Sequence, residues 1–283
     1  MNEMFNNLLD EEILDVNSVS GGDINKAFKL TTSGNEYFAK TNDIEFAYEM
    51  FKTEANALNF LSKIPGIKVP IVKQIKKHKN SCILVMEWIK TGNKGPSFSF
   101  DFAKMLYNLH KIEKDAFGFD FDNFLGSLHQ KNTWQTNWLD FFYQFRINVQ
   151  LKLAIDNKSI ESDYLTKADK MFKNISLEFP KIIPSLLHGD LWSGNYMTNN
   201  FGKPVLIDPA IYFGHREMDI AMMKLFGGFN DEIFSFYDEL LPLEFQWKER
   251  LQFYQLYYIL AHVNLFGGPY VNSAKSIIDR YGK

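Results

Sequence analysis

The run Leu186-Leu187-His188-Gly189-Asp190-Leu191-Trp192-Ser193-Gly194-Asn195, followed by Leu206-Ile207-Asp208-Pro209-Ala210, constrains this chain more than any other feature. Apolar residues lead into both segments, so each reads as a short buried strand ending at a polar group. Those groups are Asp190, Asn195 five positions on, and Asp208. Two carboxylates and one amide at this spacing suit phosphoryl transfer. Asp190 addresses a substrate hydroxyl, and Asn195 and Asp208 hold Mg2+ against the phosphates of ATP. Each residue alone is a turn former. Together they require a fold that brings two loops to one place.

The N-terminal third offers the remaining parts of such a machine. Val16–Ser20 and Lys26–Thr32 flank Gly21-Gly22-Asp23, a hairpin turn signal, and Glu36–Lys40 reads as a third strand. Phe46–Leu61 is helical by the recurrence of Met50, Phe51, Leu58 and Leu61, and Ile83–Ile89 is another strand. Glu54 lies on the apolar stripe Phe51-Glu54-Leu58-Leu61 and so points inward, which costs several kcal/mol unless the carboxylate is paired. Lys40 is the natural partner, on the same strand face as Phe38. A strand lysine held by a helical glutamate is how kinases fix an ammonium on ATP phosphates. Gly21 and Gly22 are candidates to cover those phosphates, because glycine lets backbone amides approach closely. Met86-Glu87-Trp88-Ile89 ends the apolar strand where a kinase hinge would offer main-chain groups to adenine, which makes Met86, Glu87 and Ile89 nucleotide-site candidates. Cys82 reads as a buried strand residue.

The chain has 283 residues, 46% hydrophobic and 23% charged, with a net charge of -3. That suits a protein with a full core, and without a basic block a nucleic-acid partner is not expected. A single cysteine excludes an internal disulfide. No secretory signal or membrane-length apolar run is read, so a cytoplasmic location is expected. Oligomeric state is left open. Composition turns helical beyond Thr91-Gly92-Asn93-Lys94-Gly95-Pro96, so the expected division is a nucleotide-binding lobe over 1–90 and a catalytic, substrate-binding lobe over 91–283. Helices are expected over Phe98–Ile112, Trp134–Ile155, Tyr164–Ile175, Glu217–Phe226 and Glu244–Phe266. His188 is expected to brace the catalytic loop, and Asp219 to cap a helix. Arg146 and Gln150, four residues apart, should share a helix face, with Arg146 paired to a structural carboxylate or to an oxygen-rich ligand. The structural pair is the favoured reading. His215 has no assigned role.

The segment from His188 to Asn195, then Asp208-Pro209-Ala210, Gly214-His215-Arg216-Glu217 and Leu225-Phe226-Gly227-Gly228-Phe229, closely resembles the fructosamine/ketosamine-3-kinase family. Val19–Asn25 and Gly126-Ser127-Leu128 through Asn132-Thr133-Trp134 are also similar to it, so the likeness spans nearly the whole chain. The resemblance implies an α+β, bilobal, protein-kinase-like fold: a small lobe with an antiparallel sheet and one helix, hinged to a larger helical lobe. It implies ATP-dependent phosphorylation of the sugar 3-hydroxyl of ketosamines, small or protein-attached, as a deglycation activity. Lys40, held by Glu54, would meet the phosphates, Asn195 and Asp208 would hold Mg2+, and Asp190 would take the hydroxyl proton. Trp192-Ser193 sets the loop apart from aminoglycoside and choline kinases, the alternative class. A nucleotide-binding pseudokinase is the non-enzymatic alternative, and the intact polar set argues against it. Trp192 is either a sugar platform or a core anchor of the loop.

Overall fold

The computed structural model describes residues 2–5, 8–20, 24–173 and 179–282. After a short helix α1 (Asn2–Phe5) come β1 (Ile13–Val19), β2 (Lys26–Thr32), β3 (Glu36–Asn42), helix α2 (Ala47–Leu61), β4 (Val72–His78) and β5 (Ser81–Glu87). The strands form one antiparallel sheet in the order β1-β2-β3-β5-β4. Strand β5 reads as a continuous apolar run because both its faces are covered. Cys82, Leu84 and Met86 join the large core with Met50, Phe51, Leu58 and Leu61 of α2. Ile83 and Val85 face the other way, into a small cluster with Phe28, Leu30, Tyr37, Ala39, Phe5 and Leu8. The register sets Lys40 opposite Leu84 and Phe38 opposite Met86, which places the lysine on the α2 side of the sheet.

Beyond residue 97 the chain is mainly helical. The elements are α3 (Phe98–His110), the hairpin β6 (Asn123–Leu125) and β7 (Leu128–Gln130), α4 (Trp138–Phe142), a π turn (Tyr143–Ile147), α5 (Asn148–Asp156) and α6 (Asp163–Lys173). Then follow β8 (Ser185–Leu187), β9 (Tyr196–Thr198), β10 (Pro204–Leu206), β11 (Tyr212–Gly214), α7 (Glu217–Phe226), α8 (Asp231–Leu240), α9 (Trp247–Phe266) and α10 (Tyr270–Tyr281). Strand β8 pairs with β11, and β9 with β10. Helix α9 is the axis of this half. Phe253, Tyr254, Leu256, Tyr257, Tyr258, Ile259 and Leu260 are all buried, so the middle of the helix is enclosed by its neighbours. The fold is α+β and protein-kinase-like, as expected.

Some boundaries move for local reasons. The helix expected from Trp134 starts at Trp138, because the Asn137 side chain caps it by accepting from the Asp140 amide at 3.0 Å. Gln135 meanwhile exchanges main-chain hydrogen bonds with Phe117. The helix expected from Glu244 starts at Trp247, since Gln246 takes a left-handed conformation, φ 60°. The helix expected over Tyr164–Ile175 begins at Asp163 and is described to Lys173; its last expected residues lie outside the described residues. Strand β4 is not anticipated by periodicity. It is an edge strand in which only Val72 and Ile75 are apolar. Helices α8 and α10 are likewise unanticipated, although Ile233-Phe234-Tyr237 and Ala274-Ile277-Ile278 have helical spacing.

Candidate active site

A cleft of about 930 Å³ lies between the sheet and the helical half, lined by residues of both. Strand β8 leads into His188 and Gly189, which are buried, and then Asp190, which lines the cleft. Gly189 has φ 83°, and a Cβ there would lie 2.1 Å from the Ala210 carbonyl oxygen, so no other residue fits between the two loops. The Ala210 amide donates to the His188 carbonyl at 2.9 Å, and the His188 ring Nε2 meets the Ile207 carbonyl at 3.0 Å. His188 therefore ties the two loops together. Burial holds its pKa below the usual range, keeping it neutral. Asp219 corrects one expectation: it is no helix cap. From the first turn of α7 its carboxylate accepts from the His188 amide at 2.8 Å and the Gly189 amide at 3.0 Å, with His110 Nε2 at 3.1 Å. It clamps the catalytic loop from below.

Asn195 is bound to Asp190 twice. Its Nδ2 donates to the Asp190 carbonyl at 2.8 Å and to Oδ2 at 2.9 Å. The Ile207 amide donates to the Asn195 carbonyl at 3.0 Å, joining β9 to the segment that ends in Asp208. Burial pushes the Asp190 carboxyl up to about 7; the charge of Asp208 adds to this, and the Asn195 hydrogen bond opposes it. Asp208 itself sits at φ 54°, a left-handed conformation that Asp tolerates better than most residues.

Lys40 completes the cluster. Its Nζ lies 2.9 Å from Glu54 Oε1 and also bonds Asp208 Oδ1. Burial alone would push the ammonium down; the charges of Asp208 and Glu54 outweigh it and hold the lysine above its ordinary value. The Glu54 carboxyl is pushed up by burial against the pull of Lys40. The donor set suits a hard cation. Both Nδ2 hydrogens of Asn195 are committed to Asp190, so its oxygen is the atom left to turn outward, and the Asp208 carboxylate opens to the cleft. Among the described residues no group of three or more His, Cys, Asp or Glu gathers to hold a metal. Two protein oxygens suit an ion that keeps waters and binds phosphates, as Mg2+ does.

Met86, Glu87, Trp88 and Ile89 line the cleft. The Glu87 amide is taken by the Ile71 carbonyl at 2.8 Å, and its carboxylate accepts from the Ile71 amide at 3.2 Å. Gly21 and Gly22 lie outside the described residues; their neighbours Ser20 and Ile24 line the cleft. Trp192 is 40% exposed, faces the cleft and meets Phe226 edge-on at 6.5 Å. Its ring covers Gly194, where a Cβ would lie 2.3 Å from the ring, which explains the glycine in Trp-Ser-Gly. The aromatic wall of the cleft is not legible as a whole in the sequence: Phe124, Phe226 and the consecutive helices bearing His262, Phe266 and Tyr270 come from separate parts of the chain.

Arg146, Gln150 and His215 are not among the residues lining the cleft. Arg146 is fully buried and, among the described residues, has no carboxylate partner, which corrects the expected pair. It donates to the Lys131 carbonyl at 2.6 Å, the Phe145 carbonyl at 3.0 Å and Asn132 Oδ1 at 2.7 Å, between the rings of Phe141 and Tyr212. Arg146 sits in the π turn, and Gln150 one turn on engages Asn264 instead. His215 Nδ1 meets the Tyr254 hydroxyl at 2.5 Å, and the neighbouring Glu217 makes a bidentate pair with Arg250.

A family model described as fructosamine kinase matches residues 2–283. An Enterococcus faecium protein assigned as a ketoamine kinase is 40% identical over 267 residues, covering 93% of this chain and 94% of its own. The protein-ribulosamine 3-kinase of Arabidopsis thaliana, a chloroplastic protein, is 35% identical over 280 residues, covering 95% and 83%. The crystal structure of a Haemophilus somnus protein assigned as a fructosamine-3-kinase superposes with a TM-score of 0.87 at 31% identity, over 99% of this chain and 94% of that one. Aminoglycoside phosphotransferase APH(4)-Ia shares the fold, with a TM-score of 0.64 at 16% identity.

Proposed function

The chain belongs to the fructosamine kinase family, and from that premise we propose that it transfers the γ-phosphoryl group of ATP to the 3-hydroxyl of ketosamines, on small amines or protein lysines. It is then a phosphotransferase with an alcohol acceptor, and its product adduct is labile, so the amine is recovered. The observation that carries this reading is the meeting, in one cleft, of an Asp190–Asn195 unit with a Lys40–Glu54–Asp208 cluster.

Each residue has a separate task. Adenine packs by the Met86–Ile89 segment, and Gly21 and Gly22 cover the phosphates. Lys40, kept charged and oriented by Glu54, meets the phosphates. Asn195 and Asp208 would hold Mg2+, which would neutralise charge on the transferring group. Asp190 orients the 3-hydroxyl and accepts its proton; a carboxyl raised to about 7 is poised for that near neutral pH. Trp192 offers its face to the apolar side of the sugar. Residues 1–90 act as the nucleotide lobe and 91–283 as the catalytic lobe. Catalysis is then mostly positioning and electrostatics, with no phosphoenzyme.

The test is phosphate transfer from ATP to ribulose-lysine and fructose-lysine, with the product assigned by NMR. A 3-phosphate is expected. Turnover confined to aminoglycosides or choline, or nucleotide binding with no turnover on any ketosamine, would overturn the reading.

A further inference from the structure

The stretch from Gly126 to Trp134 carries part of the family likeness, yet most of its polar side chains do not line the cleft. Asn123, Gln130 and Asn132 are buried, as are Arg146 and Tyr257. Buried amides are costly unless their hydrogen bonds are met, and here they are met in one direction only. Arg146 can only donate, so Asn132 presents its oxygen to it at 2.7 Å. The Asn132 Nδ2 then faces Asn123 Oδ1 at 3.2 Å, and the Asn123 Nδ2 donates to the Ile211 carbonyl at 2.8 Å. Gln130 is fixed in the same way. The Tyr257 hydroxyl donates to its Oε1 at 2.6 Å, and its Nε2 donates to Asn123 Oδ1 at 2.7 Å and to the Ala210 carbonyl at 3.2 Å. With the amide turned over, its oxygen would face two acceptors.

The network thus ends on the carbonyls of Ala210 and Ile211, just past Asp208. Ala210 is also where the two catalytic loops meet, through its amide on His188 and its oxygen against Gly189. On its other side the same hairpin reaches the sheet half: the Phe124 ring stacks on Phe46 at 5.6 Å, and Phe46 immediately precedes α2, which carries Glu54. We infer that Gln130 is a positioning residue for phosphoryl transfer: through the Ala210 carbonyl it fixes the segment bearing Asp208 and, across the contact with His188 and Gly189, the segment bearing Asp190. The inference rests on the function proposed above. Gln130 does not line the cleft, so it should act on the reaction step and not on binding.

The test uses the full chain with Gln130→Met, which keeps the shape and removes the polar ends, with Tyr257→Phe, and with the double variant. Tyr254→Phe, a buried hydroxyl outside the network, is the control. Misplacing a reacting group by an ångström costs on the order of a hundredfold, so Gln130→Met should lower kcat by about tenfold to a hundredfold. KM for ATP and for ketosamine should stay within about twofold, since no binding contact is lost. The double variant should be no worse than Gln130→Met alone, because Tyr257 acts through Gln130. A kcat kept within about twofold while melting temperature falls, as expected for the control, would overturn the inference. If Gln130→Met does not fold, Tyr257→Phe alone carries the test, and an unchanged kcat overturns it. Backbone hydrogen exchange over residues 204–214 gives a reading independent of turnover. Faster exchange in Gln130→Met supports the inference even if the wild type phosphorylates no ketosamine, which would sink the proposed function instead. Unchanged exchange counts against the inference.

Discussion

Lys40 and Arg146 are both buried, and they are neutralised in opposite ways. Lys40 sits among carboxylates, with Glu54 at 2.9 Å and Asp208 in contact. Arg146 has no carboxylate partner among the described residues; it is held by two carbonyls, one amide oxygen and the faces of Phe141 and Tyr212, its Cζ 4.6 and 4.2 Å from their centroids. The difference follows from what each site must allow. A charge met by fixed dipoles and rings has no mobile partner and can serve only as a permanent joint. A charge met by carboxylates at a cleft can change partners. Under the proposed function Asp208 would hold the metal ion and Lys40 would meet the phosphates, while Glu54 would stay with Lys40. The first arrangement belongs to structure, the second to chemistry.

The largest effect expected from this contrast is on activity at Lys40. Lys40→Met and Glu54→Gln should each lower kcat/KM by about 10²–10³-fold, the scale for losing one preorganised electrostatic contact. The double variant should be no worse than the poorer single one, because each removes the same ion pair. Stability should fall in Lys40→Met, which leaves Glu54 buried without its counter-charge, and fall less in Glu54→Gln, where Lys40 keeps Asp208. Additive losses in the cycle would show that the 2.9 Å contact does not persist in the working enzyme.

Arg146 should show the reverse pattern. Arg146→Met leaves the Lys131 carbonyl and Asn132 Oδ1 without their donor, and each such loss costs about 1–3 kcal/mol. A stability loss of about 2–4 kcal/mol by denaturant titration is expected, with KM for ketosamine within about twofold. Undiminished stability with a large rise in KM would place Arg146 at the substrate and erase the contrast.

The legibility of the two sites differs for the same reason. The Lys40–Glu54 pair could be read in the sequence because a carboxylate on an apolar stripe demands a counter-charge, and few lysines stand on a strand face beside Phe38. Asp190, Asn195 and Asp208 were legible because oxygen-ligand chemistry restricts residue type and spacing. Arg146 was legible as a buried cation but not in its partner. Main-chain carbonyls and aromatic faces leave no mark in a sequence, and the π turn at Tyr143–Ile147 shifts the helix register that the spacing argument assumed. Asp219 was misread for a related reason. A helix-opening Asp resembles a cap, and only the tertiary approach of the His188 and Gly189 amides shows where its carboxylate goes. The aromatic wall of the cleft was illegible as a whole because Phe124 and Phe226 come from distant elements, although His262, Phe266 and Tyr270 recur at four-residue spacing.

The smallest expected effect lies in the charge state of Asp190, and it tests whether the carboxylate cluster is as exchangeable as Lys40 requires. In the structure burial raises the Asp190 carboxyl to about 7, with Asp208 contributing. A base must be ionised, so kcat/KM should fall about tenfold per pH unit below 7. Once a metal offsets the charge of Asp208, part of the upward push is gone, so the acid limb of kcat should lie at lower pH than that of kcat/KM. Stability should run the other way. The folded value lies above the roughly 3.9 of an unfolded Asp, so Asp190 contributes fully below that pH and its contribution is lost as pH rises to about 7. Asp190→Asn should therefore raise the melting temperature relative to wild type at pH 8 and not at pH 4. The gain is capped at a few kcal/mol, because the carboxylate opens onto the cleft and solvent screens part of the shift. Coincident acid limbs for kcat and kcat/KM, with no difference in melting at pH 8, would mean that Asp208 and Asp190 do not sense each other. The partner exchange inferred for Lys40 would then lose its support.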